Sequence, residues 1–105
     1  MKEIKVHVRN EMVDRVLDAL AALPTAPGVT VVRVRGFGHP KGGGPHELVE
    51  RTKLEIVVPD AQVEMVIDCI VRHARTGAIG DGKIFVYQVD TAVRIRTGER
   101  GEGVT

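Results

Sequence analysis

Between Gly77 and Lys83 the chain reads G-A-I-G-D-G-K, which nearly matches the phosphate-cradling pattern G-x-x-x-x-G-K. Two features argue against a P-loop fold. Ile84 stands where Ser or Thr should hold magnesium, and the segment leads from a helical pattern into a strand rather than from a strand into a helix. The chemistry that survives is general. Closely spaced glycines let backbone N–H groups converge on an anion, and Lys83 adds a mobile positive charge. A helix C-cap at Gly77 followed by a tight turn would account for Gly77, but not for Gly80, Gly82 and Lys83 together. Further on, Arg94 and Arg96 alternate onto one side of the chain, and their planar forks suit phosphate. A solvated edge strand kept from aggregating by its charge is the competing account of that pair.

Other reactive side chains are sparse. His39 and His46, with Glu47, lie in the segment HPKGGGPHE, which supplies too few ligands for a closed metal site, so no metal centre is expected there. His7 and His73 read as surface or interface residues, and Cys69, among core-facing helix positions, as a small buried side chain. There is no serine nucleophile, no Cys-His pair at useful spacing and no carboxylate pair set apart by its surroundings, so an enzyme is not expected.

Composition narrows the classes further. With 105 residues, 43% hydrophobic and 28% charged, the chain is sized for one domain, and a formal net charge of +1 argues against electrostatic capture of nucleic acid. Phe37, Phe85 and Tyr87 are too few for a base-stacking platform. A single cysteine forms no internal disulfide, and no apolar run approaches the roughly 20 residues of a membrane span. A soluble cytoplasmic domain without membrane insertion is the expectation.

The elements that must position these residues come as two copies of one pattern. Residues 2 to 9 alternate, with Ile4, Val6 and Val8 on one face, and Asn10 offers an N-cap to a helix carrying Val13, Val16, Leu17 and Leu20 until Pro24 forbids continuation. Pro27-Gly28 turns the chain into a β-branched strand at 29 to 35. Fifty residues on, Leu54, Ile56 and Val58 alternate, Asp60 offers a cap, and Val63, Val66, Ile67 and Ile70 repeat the helical spacing before a strand at 84 to 89. The order β-α-β-β-α-β, with a short extra strand near 92 to 96, predicts an α+β ferredoxin-like sandwich with two helices on one face of an antiparallel sheet. The other face should carry Lys5, His7, Arg33, Arg35, Lys53, Glu55, Val57, Phe85 and Tyr87, and its apolar end points to an oligomer rather than a solvated surface. Eleven of the twelve glycines fall at 36–44, 77–82 and 98–103, marking three loops beside strand ends.

The text Gly36-Phe-Gly38 with Lys41-Gly42, LEIVVPD from Leu54, TGAIGDGKIFVY from Thr76 and RIRTGE from Arg94 resembles the PII signal-transduction protein superfamily, over essentially the whole chain to about residue 100. The resemblance implies a single PII-like domain over residues 1–105. It would have a T-loop at about 37–51, a B-loop at about 76–84 and a C-terminal loop at about 94–105. It implies a homotrimer that binds ATP, ADP or AMP in clefts between subunits and relays the bound state to a target such as a membrane transporter or enzyme. On that basis Gly80, Asp81, Gly82 and Lys83 surround the phosphates, and Arg94 and Arg96 reach in from a neighbouring subunit. Thr30 and the backbone near Val57 hold adenine or ribose, Gly36, Phe37 and Gly38 also contact the nucleotide, and His39, Lys41, Gly43, His46 and Glu47 face the partner.

This chain departs from the family pattern in several places. His39 and Pro40 replace a basic residue and a glutamine that helps hold magnesium and 2-oxoglutarate, so sensing of that acid in the usual way is not expected. Arg9-Asn-Glu-Met12 replaces a Lys-Pro-Phe-Lys stretch. The T-loop is shorter and has no tyrosine, the only tyrosine being Tyr87, and the absence of serine removes the loop phosphoserine of some relatives. The alternative function on the same scaffold is a trimer responsive to a metal or a small anion such as bicarbonate, using Arg51, Lys53 and the His39 region.

Overall fold

A computed structural model describes residues 1–37 and 48–105. The element order is β1 (Lys2–Val8), α1 (Val13–Ala21), β2 (Thr30–Gly36), β3 (Val49–Val58), α2 (Val63–Ala74) and β4 (Gly82–Gln88), in an antiparallel sheet ordered β2-β3-β1-β4. This is the expected ferredoxin-like sandwich.

The period-2 pattern of the two central strands creates the core. Ile4, Val6 and Val8 of β1 and Leu54, Ile56 and Val58 of β3 cluster with Val16 and Leu20 of α1 and with Val63, Val66, Cys69 and Ile70 of α2. Each large aliphatic side chain so buried contributes about 1.5–3 kcal/mol relative to exposure. Thr52 is the buried polar side chain of this set, and its hydroxyl donates to Asn10 Oδ1 at 2.7 Å. No helix among the described residues is long and apolar enough to cross a membrane.

Four sequence expectations are corrected. Asn10 and Asp60 do not cap their helices through their side chains. Each opens a single 3-10 turn closed by backbone bonds, Met12 N–H to Arg9 O and Gln62 N–H to Pro59 O, both at 3.0 Å. The Asn10 side chain serves Thr52 instead. Asp60 lies 2.5 Å from the Met1 ammonium, which also meets Glu102 at 3.1 Å.

Residues 92–96 form no strand either. Arg94 N–H bonds Glu99 O and Gly98 N–H bonds Arg94 O, so the segment folds back on itself through glycines of positive φ and keeps one isolated bridge, Val93 with Arg100.

Finally, the β2–β3 register pairs Arg33 with the buried Thr52 and Val32 with Lys53. Arg33 and Arg35 therefore lie on the helix side of an edge strand that the helices do not reach, while Val32 and Val34 face the other way. The face opposite the helices is more apolar than the sequence suggested.

The connector after α1 contains the one non-glycine residue of positive φ among those described, Ala26 at +36°. A left-handed residue with a Cβ is strained by about 1–2 kcal/mol, and glycine returns about 0.5–1 kcal/mol of that in unfolded-state entropy. Ala26→Gly should therefore raise the thermal unfolding midpoint by a few degrees at fixed protein concentration; an unchanged or lower midpoint contradicts the strain.

Candidate functional site

The glycine loop joins α2 to β4 and is organised from within by one carboxylate. Asp81 Oδ2 accepts the backbone N–H groups of Thr76 (2.8 Å) and Gly77 (2.9 Å), while Oδ1 accepts the Thr76 hydroxyl and Arg9 Nε at 3.4 Å. Arg9 Nη2 donates to Ile79 O at 2.9 Å, tying the loop to the end of β1. The Thr76 hydroxyl, then the Thr76 and Gly77 N–H groups and Arg9, hold the Asp81 carboxyl far below the usual carboxylate range. A carboxylate that would repel phosphate is thus committed to the loop's own donors.

Two of the glycines are dictated by space. Gly82 has φ +113°, and a Cβ there would lie 1.8 Å from the His7 carbonyl oxygen, so any side chain would break the β1–β4 pairing. At Gly80, with φ +100°, a Cβ would meet Arg9 Nη2 at 3.1 Å and Arg51 Nη2 at 3.3 Å. Two guanidinium groups therefore converge on the loop. Arg51 donates to the neighbouring Glu50 carbonyl at 2.9 Å and has no carboxylate partner among the described residues. Like charges gathered this way favour an anion between them.

Strand register extends the cationic end of this face. Directly opposed residues form a row Val32, Lys53, His7, Lys83 across all four strands. The next row is Thr30, Glu55, Lys5, Phe85, followed by Val57, Glu3 and Tyr87. Thr30 and Val57 are diagonal neighbours there. Lys53 reaches Glu55 and Lys5 reaches Glu3, both at 3.9 Å, and Lys5 lies over the Tyr87 ring at 4.8 Å. Phe85 and Tyr87 remain nearly half exposed.

The structure brings Gly80, Asp81, Gly82 and Lys83 together with Arg9, Arg51, His7 and Lys53. Arg94 instead contacts its own turn, Glu99 at 3.6 Å and the Gly103 carbonyl at 3.4 Å, while Arg96 and Ile95 are exposed. Gly36 pairs with Val49 at the end of β2, beside the exposed Phe37. Gly38, His39, Lys41, Gly43, His46 and Glu47 lie outside the described residues. Cys69 is buried, which pushes its thiol pKa up. Among the described residues no group of three or more His, Cys, Asp or Glu side chains is placed to hold a metal. Sequence reasoning missed Arg9 as a clasp. Its signal was its place one residue beyond the alternating strand, next to the strand that the glycine loop enters.

The architecture is a ferredoxin-like sandwich with cationic side chains gathered beside a glycine loop. The family model described as "Nitrogen regulatory protein P-II" matches residues 1–99. The chain is 44% identical to the P-II protein of Haemophilus influenzae, with 97% of each covered, and 46% identical to that of Synechocystis, with 95% of this chain and 96% of the relative covered. The crystal structure of Arabidopsis thaliana PII bound to citrate superposes with a TM-score of 0.83 at 45% identity, covering 98% of this chain and 87% of that one. The chain belongs to the nitrogen regulatory protein P-II family, whose members are signal-transducing regulators rather than enzymes.

Because the folded Asp81 carboxyl titrates far below its ordinary 3.8, its stabilisation of the loop is complete above that value and is lost only as pH falls through the depressed one. Amide exchange at Thr76 and Gly77, corrected for intrinsic rate, should be constant from about pH 8 to about pH 5. Asp81→Asn should speed it several-fold; equal protection in the variant would remove Asp81 as the loop's organiser.

Proposed function

We propose that this protein is a cytoplasmic homotrimer that senses ATP, ADP or AMP and passes the bound state to a target protein such as a transporter or enzyme. The observation that carries this reading is the glycine loop, shaped by Asp81 and Arg9 and opening onto Lys83, Lys53 and Arg51. With its carboxylate held by the loop's own donors, the segment presents positive charge in a fixed arrangement, which suits a polyphosphate. Arg94 and Arg96, exposed or held only by their own turn, are available to a neighbouring subunit. Thr30, Val57, Gly36, Phe37 and Gly38 would supply the rest of the nucleotide site.

The sheet face bearing Val32, Val34, Val57, Phe85 and Tyr87 is the surface the trimer would cover. The bound state is relayed to the target through the segment that carries His39, Lys41, Gly43, His46 and Glu47.

Lys83→Ala and Arg96→Ala should each weaken nucleotide binding by about tenfold, the equivalent of one charge-assisted contact, without loss of assembly. Calorimetry showing both affinities unchanged removes Lys83 and Arg96 as phosphate contacts, and no measurable binding by the wild type sinks the nucleotide reading. Phe85→Glu, which leaves the helix-side core untouched, should sediment as a monomer; a trimer in that variant removes this face as the interface.

A second reading is favoured by one observation, the meeting of the Arg9 and Arg51 forks at Gly80. Such a pair suits a small planar oxyanion such as bicarbonate, and the Arabidopsis relative is bound to citrate, a tricarboxylate. Thermal shift with ATP, ADP, AMP and bicarbonate separates the two, since a ligand of the native state raises its stability by mass action. Stabilisation by bicarbonate alone selects the second reading.

A further inference from the structure

We propose that His7 is a pH-dependent phosphate contact of the effector site, so that nucleotide binding is coupled to proton uptake; this rests on the nucleotide reading above. His7 is half-buried on the face opposite the helices, directly across from Lys53 on β3 and from Lys83 on β4. Directly opposed side chains in a sheet start about 4.5–5.5 Å apart at their Cβ atoms. The imidazole therefore sits between two ammonium-bearing side chains, at the strand end where the glycine loop enters β4. Its own carbonyl forms the contact that admits only glycine at position 82.

The charges around this ring are unevenly matched. From β3, Arg51 and Glu55 lie diagonal to it, and Glu55 is already 3.9 Å from Lys53. From β4 come Lys83, Phe85 and, just before the strand, Asp81, whose carboxylate is engaged by Arg9 and the loop donors. On its own strand Lys5 pairs with Glu3 at 3.9 Å, and Arg9 with Asp81 at 3.4 Å. Lys83 has no carboxylate within ion-pair distance among the described residues.

Phosphate oxygens held between Lys83 and Lys53 would lie beside the His7 ring and favour its imidazolium form. Of the side chains in this row only histidine ordinarily titrates between about pH 5 and 8. By linkage, a ligand that favours the protonated ring binds more tightly as pH falls. The site would then report acidification together with nucleotide, with His7 setting the sensitivity.

Calorimetric titration of the full-length protein with ATP and with ADP at about pH 6 and about pH 8, in two buffers of different ionisation enthalpy, tests this. Because ATP and ADP themselves titrate in this range, His7→Asn is the comparator and His7→Lys the permanently charged variant. The wild type should bind several-fold more tightly at the lower pH and take up more protons than His7→Asn. His7→Asn should keep only the dependence owed to the nucleotide, and His7→Lys should bind as tightly at the higher pH as the wild type does at the lower. Equal pH dependence and equal proton uptake in wild type and His7→Asn overturn the role of His7 while leaving nucleotide binding in place. Absence of binding by the wild type at both pH values overturns the nucleotide reading, and this inference with it.

Discussion

Two helices can cover only one side of a four-stranded sheet, and most of what this molecule does follows from that constraint. The covered side is spent on stability, with Ile4, Leu54, Ile56, Val16 and Val66 fully buried. The uncovered side has no helix to satisfy it. It carries valines on β2, two aromatics on β4 and a row of cations between them, a mixture suited neither to water alone nor to a dry core. Assembly and ligand binding are two ways such a face is completed, and the proposed function assigns it both.

The loop that enters this face is shaped by hydrogen bonds among its own residues and Arg9. An anionic group in a loop proposed to bind phosphate would ordinarily oppose that role. Asp81 avoids this by turning inward, where four donors neutralise it and fix the backbone turn that glycine at 77, 80 and 82 permits. Arg9 closes the arrangement from the neighbouring strand and leaves part of its fork beside Arg51 at Gly80. The charge distribution is therefore ordered in depth, with negative charge held within the loop and positive charge outside it.

Much of this was legible in the sequence where one physical rule acts alone. Alternation located β1 and β3 because both are central strands with a dry side and a wet side. Helical spacing located α1 and α2 for the same reason. Legibility failed where context decides. On β2 the alternation was correct but its sense was reversed, since an edge strand beyond the helices places arginine on the side that a central strand would bury. Asn10 and Asp60 had the composition of caps, yet a preceding 3-10 turn removed that task and freed them for Thr52 and the Met1 ammonium. The alternating arginines near residue 95 suggested a strand, but glycines at 98 and 101 let the chain bond to itself. The glycine loop could be found from its spacing, whereas the clasp by Arg9 spans 72 residues of chain and leaves no local mark.

The fifty-residue recurrence has a consequence for stoichiometry. The scaffold is close to twofold symmetric about its middle, so each half offers a connector between its helix and its outer strand. The connector of the first half, residues 22–29, contains Pro24 and Pro27, which lack a backbone N–H, and no charged side chain. The corresponding segment of the second half holds Thr76, three glycines of positive φ and Asp81, and delivers Lys83. An architecture with two equivalent places for a cradle therefore builds it once per chain. The duplicated half serves as a structural counterweight, and the difference between the two roles is confined to a segment of eight or so residues on either side of the pseudosymmetry.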